Sequence, residues 1–208
     1  MSSTVSTPVV INLDKGGMIN LSKIDPSLTR VRVGLGWKPN KTDSGQDFDL
    51  DVSVFGLKPD AKGDPVVLSG SHFVFYNNLS SPEGAIVHKG DNRDGQADGD
   101  DETVIVDLNK IPSEASEISF IVTIHEGVKR KQNFGQVRDS YIVLYNDETG
   151  VEIARYSLRE DFSNETAVQF GSLERNSSGK FSFSAVGVGY TNGLADFARQ
   201  YGLNTSGG

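Results

Sequence analysis

Two short stretches of this sequence gather oxygen ligands at a density that a solvated surface does not need. Residues 89–106 read KGDNRDGQADGDDETVIV. Asp91, Asp94, Asp98, Asp100, Asp101 and Glu102 stand there against one cation, Arg93. Like charges at contact distance repel by about 1 kcal/mol per pair in water, and by more at a protein surface. A folded loop of this composition therefore asks for a cation inside it. Gly90, Gly95 and Gly99 permit sharp turns that let several side chains converge, and Asn92 adds a neutral oxygen. Carboxylates, amides and carbonyls are the ligand set of a hard cation, bound by six to eight oxygens at roughly 2.3–2.6 Å. No His or Cys lies between Asp91 and Glu102, which argues against zinc and copper. The stretch is not an EF-hand. Counting from Asp91 puts Glu102 at loop position 12 but Arg93 at position 3 and Gln96 at position 6, and counting from Asp94 puts Ile105 at position 12. The plain alternative is an acidic loop washed by water.

The second stretch, residues 47–55, reads DFDLDVSVF. On a strand, alternate residues share a face. Phe48, Leu50, Val52 and Val54 then point into a core, and Asp47, Asp49, Asp51 and Ser53 point the other way. The carboxylates would be spaced by roughly 6–7 Å, twice the rise per residue. Asp is a poor strand former, so the alternative is a solvent-facing or charge-protected edge strand. Should the two stretches meet at one end of a fold, about nine carboxylates would share a small volume and two or more divalent ions would be needed to neutralise them. C2-type sandwiches follow this logic, and the comparison is one of outline only.

The elements that must position these residues are mostly strands. Val9–Leu13, Arg30–Trp37, Asp47–Phe55, His72–Tyr76, Thr103–Leu108, Ile118–His125, Ser140–Asn146, Glu152–Leu158, Thr166–Leu173 and Lys180–Gly189 are short β-type runs. Turn formers such as Asn77-Asn78, Asn146-Asp147 and Ser177-Ser178-Gly179 separate them. The pattern predicts an all-β fold, an antiparallel β-sandwich. One helix stands out near the end. Leu194, Phe197, Ala198 and Tyr201 form an apolar face, with Asn192 as expected N-cap and Gly202 as expected C′ residue. This helix should cover part of a sheet. A weaker helical piece is expected near Ile111–Glu117. The organisation predicted is a flexible N-terminus over 1–8, one domain over 9–203 and a flexible tail over 204–208.

Composition narrows the function. The chain has 208 residues, 36% hydrophobic and 23% charged, enough for a real core, with 23 glycines, 7 prolines and a formal net charge of −8. An acidic chain repels phosphate backbones, so no direct nucleic-acid partner is expected. There is no cysteine, which excludes disulfides, thiolate metal sites and thiol redox chemistry. The start lacks a basic, apolar leader and no long apolar run follows, so the expectation is a cytoplasmic protein.

Several blocks in order carry a resemblance. GLGWKPN at 34–40, GQDFDLDVSVF at 45–55, FVFYNNLSSPEG at 73–84 and KGDNRDGQADGDDE at 89–102 are followed by VTIHEG at 122–127 and QNFGQV at 132–137. EIARYSLREDFSNETAVQFGSLERN at 152–176 and AVGVGYTNGLADFARQYG at 185–202 complete the set. Together they resemble the tellurium-resistance, TerD-type, stress-protein family over nearly the whole chain after residue 9. The resemblance implies a compact β-sandwich that binds calcium, usually two ions. It implies a part in resistance to tellurite, phage or colicins, often within multi-protein assemblies near the membrane, and the leading expectation from the residues is a calcium-binding, non-catalytic module. Its acidic strand motif falls on Asp47, Asp49 and Asp51. Its metal loop falls on Asp91, Asn92, Asp94, Asp98, Asp100, Asp101 and Glu102. Gln96-Ala97 stands where many relatives carry Glu-Gly, and KPDAKGDPV at 58–66 looks like a variable loop.

Two other classes compete. The acidic cluster could hold a two-metal phosphoester hydrolase or nuclease, although no general acid is evident. Direct reduction of tellurite lacks a cysteine or a cofactor motif, and a bare acidic surface repels that anion. No GxSxG elbow or P-loop occurs. His72 and His88 show no partner at catalytic spacing along the chain. His125-Glu126 ends a strand, with Glu126 expected in a surface turn. Val128 to Gln132 form a small basic patch, and Trp37 is expected in packing at a strand end.

Overall fold

A computed structural model describes residues 10–38, 48–90, 100–158 and 162–203. The expectations for Asp47, Asp91, Asn92, Asp94, Asp98 and the two flexible ends fall wholly or largely outside those residues. The strands are β1 (Ile11–Leu13), β2 (Met18–Asn20), β3 (Arg30–Lys38), β4 (Leu50–Pro59), β5 (Pro65–Val67), β6 (Phe73–Val74), β7 (Ile86–His88), β8 (Glu102–Asp107), β9 (Glu117–Ile124), β10 (Arg138–Asn146), β11 (Glu152–Ser157), β12 (Ala167–Arg175) and β13 (Phe181–Tyr190). The helices are α1 (Leu21–Ile24), α2 (Gly127–Arg130) and α3 (Leu194–Gln200).

Two sheets form the sandwich. The first runs β1-β11-β10-β3-β8-β7, and the second runs β2-β13-β12-β9-β4-β5, with β6 also paired to β4. All pairings are antiparallel except β1 with β11, which is parallel. Period-2 alternation explains the layers. In β3, Val31, Val33, Leu35 and Trp37 face inward, and in β8 Val104 and Val106 do the same. They meet Leu50, Val52, Val54, Val122, Phe170 and Phe183 of the second sheet in one continuous core. Trp37 is part of that core, as expected for a strand-end tryptophan.

The other face of β4 is not open to water. Phe55, Leu57, Ile121 and Ala167 form a second cluster closed by Phe197 and Tyr201 of α3. The apolar face of α3 thus lands on the outside of the second sheet. Its C-terminus closes as the sequence suggests: Gly202 sits at φ +79, its N–H donates to the Arg199 carbonyl, and the Leu203 N–H donates to the Ala198 carbonyl. Its start differs. Gly193, at φ +68 and ψ −153, is the N-cap in place of Asn192, because the chain enters the helix through a backbone region open essentially to glycine.

One further expectation is corrected. Residues 108–116 make turns rather than a helix, although Ile111 and Ala115 are both buried. The Ala115 N–H reaches only the Pro112 carbonyl, closing a single turn. The 58–66 stretch forms the β4–β5 hairpin, with Lys58 opposite Val66 and Pro59 opposite Pro65.

Candidate metal centre

Strands β4 and β8 belong to different sheets, yet the first residue of β8 reaches the third of β4. In β4, Asp51, Ser53 and Phe55 pair with Thr123, Ile121 and Ser119 of β9. The Asp49 carbonyl accepts the His125 N–H, which places the odd-numbered residues in the hydrogen-bonded pairs. The Val52 N–H therefore points away from β9, and β6 begins only at the level of Val54. Glu102 fills that place. It heads β8 on the inner face, and its Oε2 accepts the Val52 N–H. His88 of β7 lies alongside, its Nε2 3.9 Å from Glu102 Oε2. The Gly90 N–H donates to His88 Nδ1, which assigns the ring proton to Nε2, facing the glutamate.

The three consecutive acids of 100–102 go three ways. The Asp101 N–H donates to the Leu35 carbonyl, and its Oδ2 accepts the Trp37 N–H at 3.1 Å, so this residue continues the ladder along β3. Glu102 turns inward. Asp100 lies on the outer face of the first sheet, directly over Gly34, where any Cβ would overlap its carboxylate. Arg32 Nη1 donates to Asp100 at 3.0 Å, the Tyr145 hydroxyl donates to its other oxygen, and the Arg32 guanidinium lies over the Tyr145 ring. Burial raises the Asp100 carboxyl above its ordinary value, and Arg32 opposes that rise. Gly36 plays the matching part for the Tyr141 ring. GLGW is thus a strand whose glycines make room for two outer-face side chains.

On the β4 side, Asp51 is buried and its Oδ2 lies 3.5 Å from His125 Nδ1, while Asp49 is half-buried. Glu126 does not approach. It adopts φ +51 ahead of α2 and pairs with Lys129 and Arg130, in the surface turn expected of it. Those pairs hold its carboxyl below the usual range, Lys129 first among them. The basic patch runs from Val128 in α2 through its C-cap Lys131 to Gln132, which is buried.

The structure therefore brings Asp49, Asp51, Asp101 and Glu102 to one end of the sandwich and turns Asp100 onto an outer face. Asp51, Asp101 and Glu102 are 9%, 7% and 2% exposed. Among the described residues no three His, Cys, Asp or Glu side chains converge as a ready cation cradle. Asp47, Asp91, Asn92, Asp94 and Asp98 lie outside those residues. His88 and His125 are the neighbours that sequence reasoning missed. Nothing in their spacing marks them, because each reaches its carboxylate through strand pairing.

No helix among the described residues is long and apolar enough to cross a membrane. The TerD domain profile matches residues 9–201. "Tellurium resistance protein TerD" of Serratia marcescens is 50% identical over 196 residues, covering 94% of this chain and 99% of that protein. "General stress protein 16U" of Bacillus subtilis is 49% identical over 195 residues, covering 94% and 98%. Among solved structures, a crystal structure of a protein of unknown function superposes with a TM-score of 0.63 at 26% identity, covering 85% of this chain and 98% of that one. A homologue of telluride resistance protein from Streptomyces coelicolor gives a TM-score of 0.62 at 24% identity and shares the fold. With the family profile spanning residues 9–201 and relatives about half identical over most of its length, this chain belongs to the TerD domain family of tellurium-resistance and stress-response proteins.

Proposed function

We propose that this protein is a calcium-binding, non-catalytic stress-response module that works in the cytoplasm. It acts as one component of a multi-protein assembly, positioned near the membrane, in resistance to tellurite, phage or colicins. The observation that carries the reading is the Glu102–Val52 hydrogen bond, which ties the two acidic stretches to one end of the sandwich. Three carboxylates gather there away from bulk water, where a bound cation interacts with them more strongly than it would in water. The donor set is all oxygen, which suits calcium. Asp47, Asp49, Asp51, Asp91, Asn92, Asp94, Asp98, Asp101 and Glu102 would hold two ions, and Asp100 would anchor the segment through Arg32. Calcium would supply positive charge and order to that end, and a surface for protein partners.

Isothermal calorimetry tests this with the double variant Asp49→Asn, Asp101→Asn. The reading predicts weaker calcium binding or fewer sites. Unchanged affinity and stoichiometry would contradict a shared site.

A further inference from the structure

Away from the acidic end, the segment between β5 and β7 holds a second arrangement of polar side chains. Ser69 precedes the short 3-10 turn Gly70–His72 and is exposed. A serine at such a position usually spends its oxygen on the peptide N–H groups of the turn. Here the Ser69 side chain makes no such bond. Its hydroxyl lies 2.8 Å from His72 Nδ1 instead. On the far side of the ring, His72 Nε2 lies 3.0 Å from Glu83 Oε2. The Ser81 hydroxyl donates to the other Glu83 oxygen at 2.6 Å, fixing the carboxylate. The order is hydroxyl, imidazole, carboxylate, each within hydrogen-bond reach of the next. A carboxylate can only accept from the ring, so it takes the Nε2 proton and leaves the Nδ1 lone pair facing the Ser69 O–H. That is the tautomer a general base needs to deprotonate a serine.

The scaffold around the three groups is held in place. Asn78 Nδ2 donates to the Ser71 and Phe73 carbonyls, closing the turn that carries His72. Gly56 of β4 lacks a side chain where the His72 ring packs. The approach to Ser69 is open, since the residue is exposed. Sequence spacing hides the arrangement because Glu83 comes from a different loop.

We propose that Ser69 is a nucleophilic hydroxyl that takes up an acyl group from small activated esters, with His72 as its base and Glu83 as a positioning residue. In the step, Ser69 Oγ bonds to the acyl carbon and its proton passes to His72 Nδ1. The ester C–O bond breaks, and the departing alkoxide takes that proton from His72. The product is an acylated Ser69 and the free alcohol, with the protein otherwise unchanged. Ser69 is exposed, so the donor is recognised by reactivity rather than by shape.

The test is peptide mapping by mass spectrometry after exposing the full chain to p-nitrophenyl acetate, and separately to a fluorophosphonate. A positioned base contributes on the order of a hundredfold. Ser69 should therefore be modified on that order faster than Ser27 and Ser178, exposed serines in the same chain whose hydroxyls bond Asp25 and Asn176. The preference should vanish in His72→Asn and in Glu83→Gln, and part of it should return in Glu83→Asp. Chelator should leave it unchanged, which separates it from the metal reading. Modification of Ser69 no faster than Ser27 and Ser178 in the wild-type protein would overturn the proposal, as would an undiminished preference in a folded His72→Asn.

Discussion

The carboxylate of Glu102 accepts the backbone N–H of Val52, fifty residues away in the other sheet. One side chain thus completes a hydrogen-bond ladder that no strand reaches and draws the two acidic stretches together. Removing the acceptor leaves a buried N–H without a partner, a loss of about 1–3 kcal/mol. Glu102→Ala should lower unfolding free energy in urea by that amount in the absence of calcium. Glu102→Gln keeps an acceptor oxygen and should lose less, while weakening calcium binding as much as the alanine variant does.

Gly34 is the floor beneath Asp100. In Gly34→Ala the methyl group overlaps the Asp100 carboxylate, which has Arg32 and Tyr145 around it and little room to withdraw. Overpacking of this kind costs about 1–3 kcal/mol. Thermal unfolding should show the loss, and adding Asp100→Ala to Gly34→Ala should restore part of it. Two purely additive losses would mean that the glycine serves some other purpose.

Glu117 lies on the outer face of the second sheet, bonded to Ser172 and Gln169, beside Ser119 and the Tyr201 hydroxyl beneath α3. Burial raises its carboxyl above the ordinary value, the Ser172 hydrogen bond opposes this, and Glu174 adds to the rise. The folded state therefore holds this proton to higher pH than the unfolded chain does. Its contribution is complete below the unfolded value and fades as pH rises through the folded one. The unfolding free energy of the wild type, taken relative to Glu117→Gln, should fall as pH rises above the ordinary carboxylate range. A difference that is flat or rises with pH would contradict the burial argument.

Phe197 is the apolar side chain by which α3 closes the second core cluster, and it is fully buried. Truncating such a group typically costs about 3–5 kcal/mol. Phe197→Ala should show that loss and should speed hydrogen exchange in α3 and in the 119–121 part of β9. An effect below about 1 kcal/mol would mean that the helix is only loosely docked.

Much of the fold could be read from alternation. Arg30–Trp37, Thr103–Leu108 and Ile118–His125 declare their strands because each has one apolar face in the inter-sheet core. Strands β2, β5 and β7 span three residues each, too few for a period to appear. The parallel β1–β11 pair is invisible because alternation carries no strand direction. In β4 the series Asp49, Asp51, Ser53 reads as a solvent face, yet α3 covers its continuation at Phe55 and Leu57. Pairing across the sandwich is a property of topology, not of spacing. That is why Asp49, Asp51, Asp101 and Glu102 were recognisable from their types, while the outward turn of Asp100 and the places of His88 and His125 were not.

The most direct test of the calcium reading is thermal unfolding of the chelator-treated protein, titrated with calcium and, separately, with magnesium at matched ionic strength. A ligand held only by the folded state stabilises by about 2.7 kcal/mol at a hundredfold excess over its Kd, or about 5–10 °C for a domain of this size. A rise of that order with calcium and a much smaller one with magnesium is the result expected. A melting temperature indifferent to chelator, or one raised equally by either ion, would contradict it.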